Sequence, residues 1–233
     1  MSYRGFIPLL SELGANSVAQ RRASGEKEPY LRVLEVGIMD GLSTIPYAVN
    51  LQLLGVPYVY EAIDIKIREG VRELHNSILG LENLRLIEAN SLSYLEHRAQ
   101  NLEATQQSHL GLLDIIMIDG DHNYETVKTE CELLKSTIHE ETIILFDDYN
   151  NRHAMTDTYY ADLEGYENNT LATPRTEREG PTGVRAAVDE FLAEMGYVGV
   201  TVPGASPLLT SSSSFHLETL RRFLGDLDMV EVK

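Results

Sequence analysis

The sequence predicts an α/β protein built on a doubly wound, mostly parallel, seven-stranded sheet with helices on both faces. Three observations carry that prediction. Short apolar runs rich in β-branched residues recur with room for a helix between them, the sequence form of a parallel sheet. The run Asp114-Ile-Ile-Met-Ile118 is almost continuously apolar, as a strand covered on both faces must be. The segments between such runs place their apolar residues at helical rather than alternating spacing.

In chain order, residues 1–30 read as a helical arm of one or two short helices with a polar stretch over Ala23–Glu28, and 31–233 as the main domain. Strand one is Leu31–Val36. Ser43–Leu54 follows as a helix: Ile45, Ala48, Val49, Gln52 and Leu53 share helical spacing, and Ser43 or Thr44 is available as N-cap. Pro46 falls in the first turn, where its missing N–H costs nothing, and Gly55 ends the helix. Tyr58–Ile63, Leu84–Glu88, Leu113–Ile118 and Thr142–Phe146 are strands two to five. Between the last two, Tyr124, Val127, Cys131 and Leu134 make one apolar stripe, so Tyr124–Leu134 is a helix. Residues 150–181 are a long polar insertion, and a connection of that length is usually functional or disordered. Thr182–Met195 is a helix with Val184, Val188, Phe191 and Leu192 inward and Gly196 just past its end. Tyr197–Val202 and Ser213–Leu217 read as strands six and seven, separated by Pro203–Ser212.

Composition narrows the function. The chain has 233 residues with 19 Lys+Arg against 36 Asp+Glu, a formal charge of −17. A nucleic-acid or anionic-membrane partner needs a basic face, and none is present in the sequence. The one cysteine, Cys131, cannot form an intramolecular disulfide and reads as a small buried hydrophobe. No apolar run reaches the roughly 18 residues that cross a bilayer, and Met1–Tyr30 lacks the pattern of a secretion signal, so the expected location is cytoplasmic.

The chemistry is concentrated after the strands. Leu34-Glu35-Val36-Gly37-Ile38-Met39-Asp40-Gly41-Leu42-Ser43-Thr44 joins strand one to the first helix. Glycines at 37 and 41 permit a tight turn and close approach of a ligand to bare main chain, beside the unpaired N–H groups of a helix start. Met39 stands where a dinucleotide fingerprint needs glycine, and no Gly-Lys-Ser/Thr follows, so neither that motif nor a phosphate loop is present. Glu35 suits a ligand carrying positive charge, such as the ammonium and sulfonium of S-adenosylmethionine. Asp64, 27 residues after Gly37 at the end of strand two, can take the hydroxyls of a ribose.

Strand four ends in Asp119-Gly-Asp121-His122-Asn-Tyr and strand five in Asp147-Asp148-Tyr149. Adjacent parallel strands open their carboxyl ends on the same side, so these carboxylates converge beside the glycine turn. A divalent cation would compensate their repulsion, and oxygen donors favour Mg2+, with Mn2+ or Ca2+ as alternatives. The plainer reading of Asp121 and Asp148 is that they cap helices or turns.

Together these motifs resemble the class I S-adenosylmethionine-dependent methyltransferases, which are Rossmann-like, over about residues 30–200. The resemblance implies that Glu35, Gly37, Gly41 and Ser43 surround the methionine part of the cofactor. It also implies that Asn90 and Ser91 meet the adenine; an Asn-Ser pair is equally an ordinary N-cap for the helix at Leu92. The strings I-D-G-D-H-N-Y-E and F-D-D-Y are similar to the metal-dependent sugar and macrolide O-methyltransferases and the cephalosporin hydroxylase-like proteins. That likeness implies Asp119, Asp147 and Asp148 as metal ligands, with Asp119 also counted toward the cofactor. Thr182–Phe191 is similar to the helix that follows in the sugar enzymes, whereas residues 150–181 match no family pattern.

The expected activity is thus transfer of a methyl from S-adenosylmethionine to a hydroxyl of a small molecule or sugar, assisted by Mg2+ or another divalent cation. Asp121 is the first candidate for the base and His122 the second, the latter having the better intrinsic pKa. Tyr149, Tyr159, Tyr160 and Tyr166 are candidates for an acceptor wall. The rivals are a metal-independent methyltransferase, a non-catalytic cofactor-binding module of the same fold, and a nicotinamide oxidoreductase, which Glu35 and Met39 disfavour. Whether the chain works alone or as a homo-oligomer is left open.

Overall fold

The computed structural model describes residues 3–105, 111–177, 179–201, 205–224 and 230–232. Val202 and Pro203, expected at the end of the sixth strand and the start of the next connection, lie outside these residues.

Five parallel strands fall where the apolar runs put them, the fifth beginning at Ile138 and so four residues before the expected Thr142: β1 Leu31–Val36, β2 Tyr58–Asp64, β3 Leu84–Glu88, β4 Leu113–Ile118 and β5 Ile138–Phe146. The helices are α1 Ile7–Ala23, α2 Thr44–Leu53, α3 Glu69–Ser77, α4 Ser91–Thr105, α5 Tyr124–Leu134, α6 Gly183–Met195 and α7 Ser214–Leu224. Three further strands, β6 Val198–Thr201, β7 Leu208–Ser211 and the short β8 Val230–Val232, complete the sheet in the order β3-β2-β1-β4-β5-β7-β6-β8. β7 pairs antiparallel with both β5 and β6, so the sheet is mostly parallel, as expected, with β8 added at one edge.

The two faces follow from alternation along the strands. Ile115 and Met117 join one apolar cluster with Leu9, Leu10 and Leu13 of α1, Ile45, Ala48 and Leu51 of α2, and Leu220 of α7. Ile116 and Ile118 join the other, with Leu95 of α4, Val127, Cys131 and Leu134 of α5, and Val188 and Phe191 of α6. Every residue of β1 and β4 is buried, which is why neither strand shows an alternating pattern in sequence. α1 is part of this core: Leu9, Leu10 and Leu13 are wholly buried. Its C-terminal Arg21 reaches the Tyr30 carbonyl at 2.8 Å and lies 3.4 Å from the buried Asp114.

The seventh strand is displaced from its expected place. It is Leu208–Ser211, inside what the sequence reads as a connection, while Ser213–Leu217 opens α7. The apolar pair Leu208-Leu209 is fully buried in the sheet. Leu217 and Leu220, three apart, are the inward stripe of a helix whose period shows only beyond residue 217.

Candidate active site

The strand order reverses between β1 and β4, so the connections after them diverge and leave a crevice at their C-terminal ends. Gly37 stands at its floor with φ +93°, and a Cβ there would lie 1.9 Å from the Asp119 main-chain oxygen. Two main chains therefore cross in contact, which no side chain permits. Gly41, at φ +68°, and Met39, at φ +48°, complete the turn.

Two carboxylates hold this turn. Asp64 Oδ2 accepts from the Ile38 and Met39 N–H groups at 2.8 and 2.9 Å, and its Oδ1 from Lys66 N–H at 2.9 Å. Two carboxylate oxygens offer about four acceptor positions, so roughly one remains for a ligand hydroxyl. Glu35 is wholly buried and accepts from the Ser43 hydroxyl at 2.6 Å and the Tyr60 hydroxyl at 2.5 Å. Ser43 precedes α2 as expected, but its hydroxyl is given to Glu35 and caps no helix N–H. The structure thus brings Gly37 and Asp64 to the crevice and sets Glu35 and Ser43 behind the turn as its brace.

A small cavity opens beside Gly37 and is lined by Asp64, Asn90, Ser91, Asp121, Tyr160 and Thr173 among others. Asn90 caps α4 through its Oδ1, which accepts from Leu92 N–H at 3.0 Å. Its Nδ2 donates to the Leu171 carbonyl at 2.6 Å and toward Thr173 Oγ1 at 3.3 Å. Asp121 Oδ1 accepts from Tyr160 N–H at 2.7 Å and Oδ2 from the Thr126 hydroxyl at 3.3 Å. Asn169 donates to the Ile65 carbonyl at 3.3 Å. Residues 157–173 therefore run as a strap across one side of the cavity, and Asp121 is one of its anchors. Burial raises the Asp121 carboxyl to about 6, against the lowering effect of the hydrogen bonds it accepts. Beneath the cavity, Ser91 donates to the buried Glu130 at 2.5 Å; burial raises the Glu130 carboxyl to about 8, so it is mostly protonated at neutral pH.

Of the four tyrosines, Tyr160 lines the cavity and packs edge-on against Tyr166 with ring centroids 5.0 Å apart. Tyr149 and Tyr159 are buried, and Tyr149 donates to Asp189 at 2.6 Å. Thr173 and His153, neither singled out in sequence, complete the surroundings. The length of the insertion is their one signal, since its spacing carries no period.

The carboxylates after β4 and β5 divide into two groups. Asp119 and Asp147 sit side by side: burial first, then the Asp147 charge, then Glu35 and Asp148 raise the Asp119 carboxyl well above the ordinary range. Asp147 Oδ1 is buried with no hydrogen-bond partner among the described residues. Asp148, in a left-handed turn at φ +52°, directs its oxygens elsewhere. Its Oδ1 accepts from the Ser206 hydroxyl at 2.8 Å, while Oδ2 lies 3.3 Å from His122 Nδ1 and 3.0 Å from His153 Nε2. The two imidazoles stack with centroids 4.8 Å apart. Burial, the largest effect, lowers the His122 pKa against the opposing charge of Asp148, which favours the neutral ring. The expected set of three carboxylates is therefore a pair, Asp119 and Asp147, with Asp148 close enough to repel Asp119 but turned toward the histidines. A half-buried carboxyl pair with a spare oxygen, and with no lysine or arginine among the described residues paired to it, fits a hard divalent ion.

A family profile described as a methyltransferase domain matches residues 34–149, the stretch that holds the glycine turn, the cavity floor and both carboxylate motifs. No curated protein matches the chain in sequence closely enough to count as a relative. Among solved structures, the chain is similar to the MycE methyltransferase of the mycinamycin biosynthetic pathway, determined with Mg, SAH and mycinamycin VI. The match has 15% identity and a TM-score of 0.51 and covers 88% of this chain and 48% of that one. It is also similar to CalS11, a TDP-rhamnose 3'-O-methyltransferase of calicheamicin biosynthesis, at 13% identity and TM-score 0.48, covering 87% and 79% of the two chains. A third is the Podospora anserina methyltransferase PaMTH1 bound to SAH, at 17% identity and TM-score 0.47, covering 88% and 79%. The chain spans about half the length of MycE. At such identities the MycE match shows a shared fold, and the two lower-scoring matches carry no argument.

Proposed function

The chain belongs, through residues 34–149, to the methyltransferase-domain family, and on that premise we propose that it transfers the methyl of S-adenosylmethionine to a hydroxyl of a small molecule or sugar with the help of a divalent cation. The observation that carries this reading is the half-buried Asp119–Asp147 pair, with Asp147 Oδ1 unpartnered among the described residues, beside the cavity of Gly37, Asp64, Asn90 and Ser91. The MycE structure with Mg and SAH supports the same pairing of ligands.

When bound, the cofactor supplies an electrophilic methyl and the cation, Mg2+ or a relative, stabilises negative charge developing on the acceptor oxygen. Gly37 lets the cofactor lie against main chain, and the spare acceptor position of Asp64 takes a ribose hydroxyl. Asn90 and Ser91 line the end assigned to the adenine. Asp119 and Asp147 hold the cation, with Asp148 adding negative charge nearby. His122 is the base: Asp148 facing Nδ1 keeps the proton of the neutral ring there, so Nε2 carries the lone pair that takes the acceptor's proton. Asp121 is the poorer base because its oxygens are occupied by Tyr160 N–H and Thr126. The strap excludes water from the cavity side.

Asp147→Asn is expected to abolish transfer while leaving S-adenosylhomocysteine affinity, measured by calorimetry, within a few-fold. His122→Ala should lower kcat by about 10²–10⁴-fold. Exhaustive chelation should silence the protein and Mg2+ restore it. Transfer indifferent to chelator would instead support the metal-independent reading, which the His122–Asp148 pair alone favours.

A further inference from the structure

The histidine pair around Asp148 is more than a base and its support needs. One carboxylate oxygen, Asp148 Oδ2, faces two imidazole nitrogens from different segments: His122 after β4, and His153 in the turn that opens the insertion. A base needs one orienting carboxylate; a second imidazole on the same oxygen adds nothing to that role. The three donor atoms all lie within 4.8 Å of one another, and the two distances to Asp148 Oδ2 are 3.3 and 3.0 Å. Donors around a tetrahedral ion with bonds of about 2.0–2.2 Å stand about 3.3–3.5 Å apart. Two of the three separations are already near that value, and closing the third needs one imidazole to turn. The other oxygen of Asp148 is fixed by Ser206, whose hydroxyl also accepts from Asp148 N–H at 3.2 Å, so the carboxylate is oriented from behind as metal carboxylates usually are.

We propose that His122 Nδ1, Asp148 Oδ2 and His153 Nε2 form a site for a borderline transition-metal ion such as Zn2+, distinct in donor chemistry from the Asp119–Asp147 pair, and that occupying it silences the base. Two nitrogens and one oxygen suit Zn2+, Co2+ or Ni2+, whereas Mg2+ prefers oxygen alone. The silencing follows from proton balance. A neutral imidazole bound to metal through Nδ1 must carry its proton on Nε2, so the ring changes tautomer without net gain or loss of a proton. Nε2 then becomes a donor and can no longer accept the acceptor's proton. This second half rests on the reading of His122 as base; the site itself does not.

The test uses the full chain, freed of metal, with Co2+ alone as a visible-absorption probe and Zn2+ as competitor. One equivalent of Co2+ should give a saturable visible band that Zn2+ displaces. His153→Gln should weaken Co2+ binding at least about tenfold, whereas Asp147→Asn should change it little while weakening Mg2+. If the Gln variant changes the circular-dichroism melt, His153→Ala takes its place. Co2+ binding indifferent to both substitutions at 153, or lost in Asp147→Asn, would overturn the site. In transfer assays with Mg2+ present, Zn2+ should inhibit the parent chain, and inhibition of the 153 variant should need at least about tenfold more Zn2+. Tight Zn2+ binding without inhibition would overturn the silencing. Because the titration requires neither cofactor nor acceptor, it decides the site even if methyl transfer is never observed.

Discussion

Gly37 and Glu130 show what single residues contribute to this crevice. At Gly37 an added Cβ meets backbone, not a flexible side chain, and φ is +93°. Gly37→Ala should therefore cost about 2–3 kcal/mol or more through strain and displacement of the β4 end, read as a lower Tm together with weaker S-adenosylhomocysteine binding. Glu130 makes a prediction of opposite sign. Its folded pKa of about 8 lies above the usual 4.5, so the folded chain holds a proton that the unfolded chain releases. Its contribution is most favourable below pH 4.5 and is lost as pH rises toward 8. Glu130→Gln, which keeps an acceptor for Ser91, should thus raise Tm at pH 8 and change it little at pH 4.5, as pH-resolved melts would show. At this scale the sequence is informative about which residues matter and poor about their partners. Gly37 and Asp64 are recognisable from spacing alone. That Asn90 donates to Leu171, 81 residues away, or that Asp148 turns from Asp147 to His153, depends on tertiary placement that no local pattern encodes.

The elements that sequence makes plain are those whose period is complete within their own span. α5 and α6 carry unbroken stripes and lie where the pattern puts them. β7 and α7 do not: the serine-rich stretch 210–214 blurs the change of period, and the apolar pair Leu208-Leu209 is masked by Pro203 and Pro207 around it. The insertion is the opposite case, an element with no period at all that is held by side-chain pins. Asp121→Ala removes the acceptor of Tyr160 N–H and should loosen the strap. Hydrogen exchange over residues 157–173 is expected to accelerate while α5 and the central strands keep their protection. Equal acceleration everywhere would mean that Asp121 supports the whole domain and not the strap.

For the molecule as a whole, the parallel character of the sheet follows from the recurring apolar runs, whereas the eighth strand and the strand order do not, because pairing joins segments as distant as β1 and β4. α1 belongs to this whole. Leu9, Leu10 and Leu13 are each worth about 1.5–3 kcal/mol buried, so deleting 1–23 should remove cooperative unfolding, as a calorimetric scan would show. Part of the net charge of −17 is concentrated beside the crevice, where Glu35, Asp147 and Asp148 all act on Asp119. The strap has a further consequence, for time and not for affinity. It shares a covalent chain with the domain it crosses and is pinned on both sides of the cavity, by Asn90 and Asn169 on one and Asp121 on the other. An occupant that passes by that side does so only when these bonds open together, so the opening rate of the strap sets the pace of that route. A ligand leaving by that route would be released no faster than the strap opens, so the strap would act on rates before it acts on affinity.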